Sequence, residues 1–223
     1  MTTIPTHNIK TFKQYKDMIK DKIILTDVDG VLLDWEFAFH TWMEKHGHTP
    51  IKEHKQLYSI AKRFSITQEQ SKRLTASFNE SASIGFLPPL RDSVYYIKKL
   101  HEKHGYVFHA ITSLSTDPYA GKLRERNLAK LYGDTTFAKV ICLDTGADKD
   151  EALAPYKDTQ CWWVEDKVIN AQVGEQLGLR SIIFEHGHNW NYNGDIPLAK
   201  NWEEIYNMIT KESPEQRASL VEF

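Results

Sequence analysis

Cysteine is scarce in this chain: Cys142 and Cys161 are the only two among 223 residues, and no CxxC spacing links them. Two thiols are too few for a disulfide framework, so both read as reduced side chains beside strand-forming segments. Long hydrophobic runs are missing as well. No stretch approaches the ~18–20 apolar residues that span a bilayer, so no membrane partner is expected. The first twenty residues, MTTIPTHNIKTFKQYKDMIK, lack the apolar centre of a secretory signal, and the expected location is cytoplasmic. An excess of charge is lacking too. Lys and Arg number 28 against 30 Asp and Glu, a net charge of −2, which offers no footprint for stable nucleic-acid binding and suits a small anionic ligand better. There is neither an internal repeat nor a low-complexity tract.

What is present is a soluble, globular composition, 41% hydrophobic and 26% charged, in a length that fits one domain with an insertion. Short β-branched or aromatic runs recur at KIILTD (22–27), YVFHAITS (106–113), AKVICLD (138–144), TQCWWVED (159–166) and RSIIFE (180–185). Helical patterns lie between them at 92–104, 119–131, 149–156 and 168–177, the first opened by Asp92 as a cap and closed by Gly105. Strands alternating with helices predict an α/β, doubly wound parallel sheet, with ligands at the carboxyl ends of its strands. One long helical stretch interrupts the alternation and ends at Pro88-Pro89. The expected division is an N-terminal extension (1–20), a core (21–34 and 88–223) and a small inserted helical cap (35–87), with the polar tail from Ser213 as an accessory.

The stretch ILTDVDGVLLDW, Ile24 to Trp35, ends a strand in two carboxylates one residue apart. Strand periodicity sets Asp27 and Asp29 on the same side, and Gly30 lets the chain turn. Carboxylates that close raise each other's pKa unless a cation neutralises them, and an oxygen-only cluster suits Mg²⁺. Three other strand ends are polar. The second carries Thr112-Ser113, hydroxyls suited to phosphate oxygens or to capping a helix. The fourth carries the acidic pair Glu165-Asp166. After the third, Lys149 stands at a helix start, where a cation opposes the helix dipole and calls for another reason.

These elements, in the order DxD, hydroxyl, lysine, acidic pair, resemble the four motifs of the haloacid dehalogenase-like phosphatases. Within that superfamily the chain is similar to the 5′(3′)-deoxyribonucleotidases through DVDGVLLDW, PPL at 88–90, TS at 112–113, DK at 148–149 and IIFEHGHN at 182–189. The resemblance implies Asp27 as nucleophile and Asp29 as the acid that protonates the leaving alcohol and then the base toward water. It implies Mg²⁺ on an Asp27 oxygen, the Asp29 carbonyl and Asp166, phosphate contacts from Thr112 and Ser113, and Lys149 offsetting phosphoryl charge. The chain departs from that pattern in having Glu165 where an Asp is usual and a longer gap after Lys149, which leaves Lys157 as an alternative lysine.

The resemblance also places an aromatic, here Trp35, near a nucleobase, with Phe86 a weaker candidate. It places a basic residue after the second motif, for which Lys122 and Arg124 both remain open. Phe39 and Trp42 follow Trp35 at helical spacing and read as packing. Ten histidines, among them His40, His46, His48, His54, His186 and His188, include no HExxH pattern, and the HGHN loop reads as a site rim. The expected activity is hydrolysis of a small phosphomonoester, a nucleoside monophosphate above all, by a monomer or a homodimer. A 3′-phosphatase acting on nucleic-acid ends and a non-catalytic phosphoacceptor or binding module are the alternatives.

Overall fold

The computed structural model describes residues 22–52 and 56–211. The N-terminal extension at 1–20, the tail from Ser213 and His54 lie outside the described residues. Six strands, β1 (Ile23–Thr26), β2 (Val107–Ser113), β3 (Phe137–Leu143), β4 (Trp162–Glu165), β5 (Arg180–Phe184) and β6 (Leu198–Ala199), form one parallel sheet in the order β3-β2-β1-β4-β5-β6. Both faces are covered. Ile24, Phe108, Ala110, Val164 and Ile182 enter one apolar cluster, while their chain neighbours Leu25, Ile111 and Trp163 enter another, as the period of two requires.

Among the described residues three α-helices, α1 (Trp35–Lys45), α2 (Ile60–Arg63) and α3 (Gln68–Asn79), and then a 3₁₀ helix (Ala82–Phe86) stand between β1 and the next core helix. Asp34 caps α1 by accepting from the Phe37 N–H at 3.0 Å, and Thr67 with Gln70 forms a reciprocal capping box on α3. The chain leaves and rejoins the core along one seam. Leu33 bridges Pro89 in antiparallel fashion, the Asp34 N–H donates to the Pro88 carbonyl at 2.9 Å, and the Leu90 N–H donates to Leu32 at 2.8 Å.

The remaining helices are α4 (Ser93–His104), α5 (Pro118–Tyr132), α6 (Asp150–Leu153), α7 (Val168–Gln176) and α8 (Trp202–Lys211). Gly105 closes α4 at φ 71°, as its position predicts. Asp92 departs from expectation: it makes no side-chain cap on α4. Its two carboxylate oxygens instead accept from the Trp202 and Glu203 N–H groups at 3.0 Å each, so it caps α8 more than a hundred residues away. Neither α8 nor the two-residue β6 stands out from the sequence runs above. Trp202 is fully buried and its indole N–H donates to the Val31 carbonyl at 2.9 Å, tying α8 beneath the turn that follows β1.

Candidate active site

Asp27, Thr112, Ser113, Glu165 and Asp166 all stand at the carboxyl edge of the sheet, and with Lys149 they line one cleft of about 990 Å³ between the core and the inserted helices. Asp27 continues β1 and donates its N–H to Val164 of β4 at 2.8 Å. Its Oδ1 accepts from the Val28 N–H at 2.7 Å and lies 2.8 Å from Lys149 Nζ. Lys149 Nζ also donates to Glu165 Oε2 at 2.7 Å. The ammonium is thus clamped between two buried carboxylates, which explains a lysine at a helix start better than exposure would. Lys157 does not line the cleft.

The charges of this cluster do not cancel. Carboxylate oxygens of Asp27, Glu165 and Asp166 lie within 4.8 Å of one another, with one lysine among them. Burial, then the nearby Glu165, pushes the Asp27 carboxyl up to about 8 against the pull of Lys149. Burial, Glu165 and Asp27 hold Asp166 well above the ordinary range. Glu165 differs: burial works against its charge, but Lys149 and the surrounding donors hold it below the ordinary value. Its Oε1 accepts from the N–H groups of Asp166 and Lys167, and its Oε2 from Lys149 and Asn170. Glu165 is therefore saturated with donors and holds its charge, whereas Asp27 and Asp166 are pushed toward their protonated forms and ionise together only where a further cation offsets them. Buried oxygen ligands of this kind fit a hard divalent ion such as Mg²⁺.

Gly30 is required by contact as well as by conformation. It sits at φ 81°, and a Cβ there would lie 2.8 Å from Asp166 Oδ2. The HGHN loop holds Asp166 from the far side. Asn189 Nδ2 donates to the Asp166 carbonyl at 2.7 Å and its Oδ1 accepts from the His186 N–H at 2.7 Å, while His186 Nε2 meets the Gly30 carbonyl at 2.5 Å. His186 and His188 line the cleft, as a rim should. Thr112 is wholly buried yet lines the cleft, and its Oγ1 has no hydrogen-bond partner among the described residues. Ser113 Oγ is spent on the Ala147 carbonyl at 2.8 Å.

Four expected substrate contacts separate. Trp35 lines the cleft, with its ring stacked on Phe39 at 4.5 Å and its indole N–H donating to Asn79 Oδ1 at 3.0 Å. Phe86 does not reach it: Ile84 takes the core position of the 3₁₀ helix Ala82–Phe86 and leaves Phe86 74% exposed. Lys122 is exposed on the outer face of α5, its Nζ 5.5 Å from the Tyr119 ring centroid. Arg124, two residues on and so nearly opposite around the helix, is fully buried outside the cleft lining, where it holds Asp29 at 2.5 and 2.9 Å. Sequence reasoning passed over Asn79, whose Nδ2 donates to the Leu114 carbonyl at 2.8 Å; Arg63, which with Lys62, Lys72 and Arg73 reads in the sequence as a solvated basic face, is instead buried and paired with Glu36 at 2.9 Å. A polar residue on a helix carries no mark of the contact it will make across the chain.

No family model matches the chain. It is 28% identical over 141 residues to an uncharacterized 32.4 kDa protein of Enterobacteria phage T4 from the Gp30–rIII intergenic region, a match covering 60% of this chain and 49% of that protein. The chain thus spans about half the length of this curated relative. Among solved structures it is similar to a haloacid dehalogenase-like hydrolase from Streptococcus pneumoniae, with a TM-score of 0.61 at 15% identity over 85% of this chain and 98% of that one. It is also similar to CbbY from Rhodobacter sphaeroides in complex with phosphate, with a TM-score of 0.55 at 17% identity over 82% and 96%. The six-stranded parallel sheet with its flanking helices is the fold of the haloacid dehalogenase-like hydrolases.

Proposed function

We propose that this chain is a metal-dependent phosphomonoesterase working through an aspartyl-phosphate on Asp27, and that its substrate is a nucleoside monophosphate. The observation that carries the reading is the clamp of Asp27 and Glu165 on Lys149, with the unpartnered Thr112 hydroxyl beside it in the cleft. With Asp27 Oδ1 held by Lys149 and the Val28 N–H, Oδ2 is the attacking atom. It bonds to phosphorus as the ester P–O bond breaks, and the departing oxygen takes a proton from Asp29. Water then attacks phosphorus, gives its proton to Asp29, and the Asp27–phosphate bond breaks to release orthophosphate. Thr112 donates to a phosphoryl oxygen, and Lys149 offsets the charge gathering there. Mg²⁺ would be held by Asp27, Asp166 and the Asp29 carbonyl. When bound it would supply positive charge against the phosphoryl oxygens.

The inserted helices support a leaving group without a second anion. Among their described cleft-lining residues the one Lys or Arg is Arg63, already paired with Glu36, and Glu44 adds a further carboxylate. A carboxylate-bearing substrate such as phosphoglycolate finds no countercharge on that wall. A nucleoside finds the Trp35 ring and neutral donors such as Gln68 and Thr75.

The test is phosphate release from 5′- and 3′-(deoxy)nucleoside monophosphates, phosphoglycolate and a 3′-phosphorylated oligonucleotide, each with Mg²⁺ and with EDTA. Nucleoside monophosphates turn over fastest, only with the metal, and Asp27→Asn abolishes the activity. Preference for the oligonucleotide or for phosphoglycolate overturns the substrate assignment. Metal-independent turnover, or an active Asp27→Asn, overturns the mechanism.

A further inference from the structure

We infer that Arg124 is the positioning residue for Asp29; the inference rests on the phosphatase reading above and assigns a part in it to a side chain that never meets substrate. The buried positions of α5 include Ala120, Arg124, Asn127 and Leu128, a helical stripe in which residue 124 occupies a site suited to leucine. An arginine with no exposed surface must be paired, and a well-packed apolar side chain of like volume would often serve stability as well or better. Stability alone therefore gives little reason for a cation here. Its Nη1 and Nη2 donate to Asp29 Oδ1 and Oδ2, while its Nε has no partner among the described residues.

Among the described residues Asp29 is the only side chain that Arg124 holds, and Arg124 is the only side-chain partner of Asp29. The planar guanidinium fixes the plane of the carboxylate, which a lysine cannot do. Both carboxylate oxygens are held by the fork, but each retains a second lone-pair site, and Asp29 lines the cleft, so a proton can be exchanged with the scissile ester at that second site without breaking the pair. The same stripe braces the hinge: Asn127 Nδ2 donates to the Leu87 carbonyl at 3.0 Å, where the chain returns from the inserted helices. Helix α5 thus holds the proton-transfer group and one side of the seam together.

The role predicts which step suffers. p-Nitrophenolate leaves without a proton, so phosphorylation of Asp27 by p-nitrophenyl phosphate does not need Asp29, whereas attack of water on the phosphoaspartate does. In Arg124→Gln the first turnover gives a burst of about one p-nitrophenolate per chain, followed by a steady state ~10²-fold slower than wild type, the scale of a ~1 Å misplacement. A nucleoside monophosphate, whose alkoxide needs the proton, shows the slowing without the burst. Arg124→Lys keeps the charge without the fork and behaves like Arg124→Gln.

A double-mutant cycle guards against misfolding, because Asp29→Asn/Arg124→Gln removes both members of the pair together. If Arg124 acts through Asp29, the double variant is no slower than Asp29→Asn alone. Multiplying losses, wild-type kinetics in Arg124→Gln, or a raised KM without a burst each overturn the inference. Failure of the underlying reading looks different: wild type turns over no monoester, or Asp27→Asn remains active.

Discussion

Lys149 is the residue on which the site turns. Burial opposes its charge, but Asp27 and Glu165 outweigh the penalty and hold the ammonium above its ordinary pKa. Replacing it with Met leaves two buried carboxylates without their shared partner, a loss on the order of 3–5 kcal/mol for a broken buried ion pair. Urea denaturation of Lys149→Met should show that loss, and adding Glu165→Gln should recover part of it by removing one orphaned charge. Gly30 makes a second test at this scale. Ala at that position strains a φ of 81° and drives a methyl group against Asp166 Oδ2, so Gly30→Ala should weaken Mg²⁺ binding at least tenfold by calorimetry. Unchanged affinity would remove Asp166 from the set of residues proposed to hold the metal.

At the scale of elements, α3 joins the inserted helices to the loop that follows β2. Asn79 accepts from the Trp35 indole and donates to the Leu114 carbonyl, two residues past Thr112, and the next residue, Glu80, receives the Ser115 hydroxyl at 2.9 Å. Asn79→Ala removes one of two donors to the Leu114 carbonyl, which keeps the Thr145 hydroxyl at 2.6 Å, at about 0.5–1.5 kcal/mol, and takes away the acceptor that orients the Trp35 indole. Thermal unfolding should report the first effect and a raised KM for nucleoside monophosphates the second. This coupling was not legible in the sequence, because a lone Asn at a helix end reads as a cap. Runs such as KIILTD and RSIIFE did announce their strands, since burial on both faces demands uninterrupted apolar residues. Asp27 and Asp29 were legible for a related reason, since charge beside such a run has to be held by something, and Lys149 because a cation at a helix start opposes the helix dipole. Arg124 was visible only as one of two basic residues, and just the turn of α5 separates it from Lys122. Asp92 had the right type for a cap and was matched to the wrong helix, since its carboxylate reaches across the fold.

Across the whole molecule, the sheet ties the chemistry at one edge to packing beneath it, and His109 offers a way to measure that tie. It lies within β2, three residues before Thr112, almost wholly buried, with Nδ1 2.7 Å from the hydroxyl of Tyr156 in the turn that follows α6. Lys149 is the N-cap residue of α6, so the His109–Tyr156 contact links the strand bearing the unpartnered Thr112 hydroxyl to the segment bearing the lysine. Burial, helped by Lys139, lowers the His109 pKa from 6.5 to about 4. A base lowered in this way is neutral in both folded and unfolded chains above pH 6.5, and its contribution to stability is fully present there. As pH falls from 6.5 toward 4 the unfolded chain takes up a proton that the folded one refuses, and stability declines through that window. His109→Gln removes this dependence and keeps a polar group for Tyr156. The difference in unfolding free energy between wild type and variant should be flat above neutrality and should shift against wild type toward pH 4. A difference that stays constant over the whole range would mean that His109 takes up its proton inside the fold, and that β2 and α6 are less tightly joined than the contact implies.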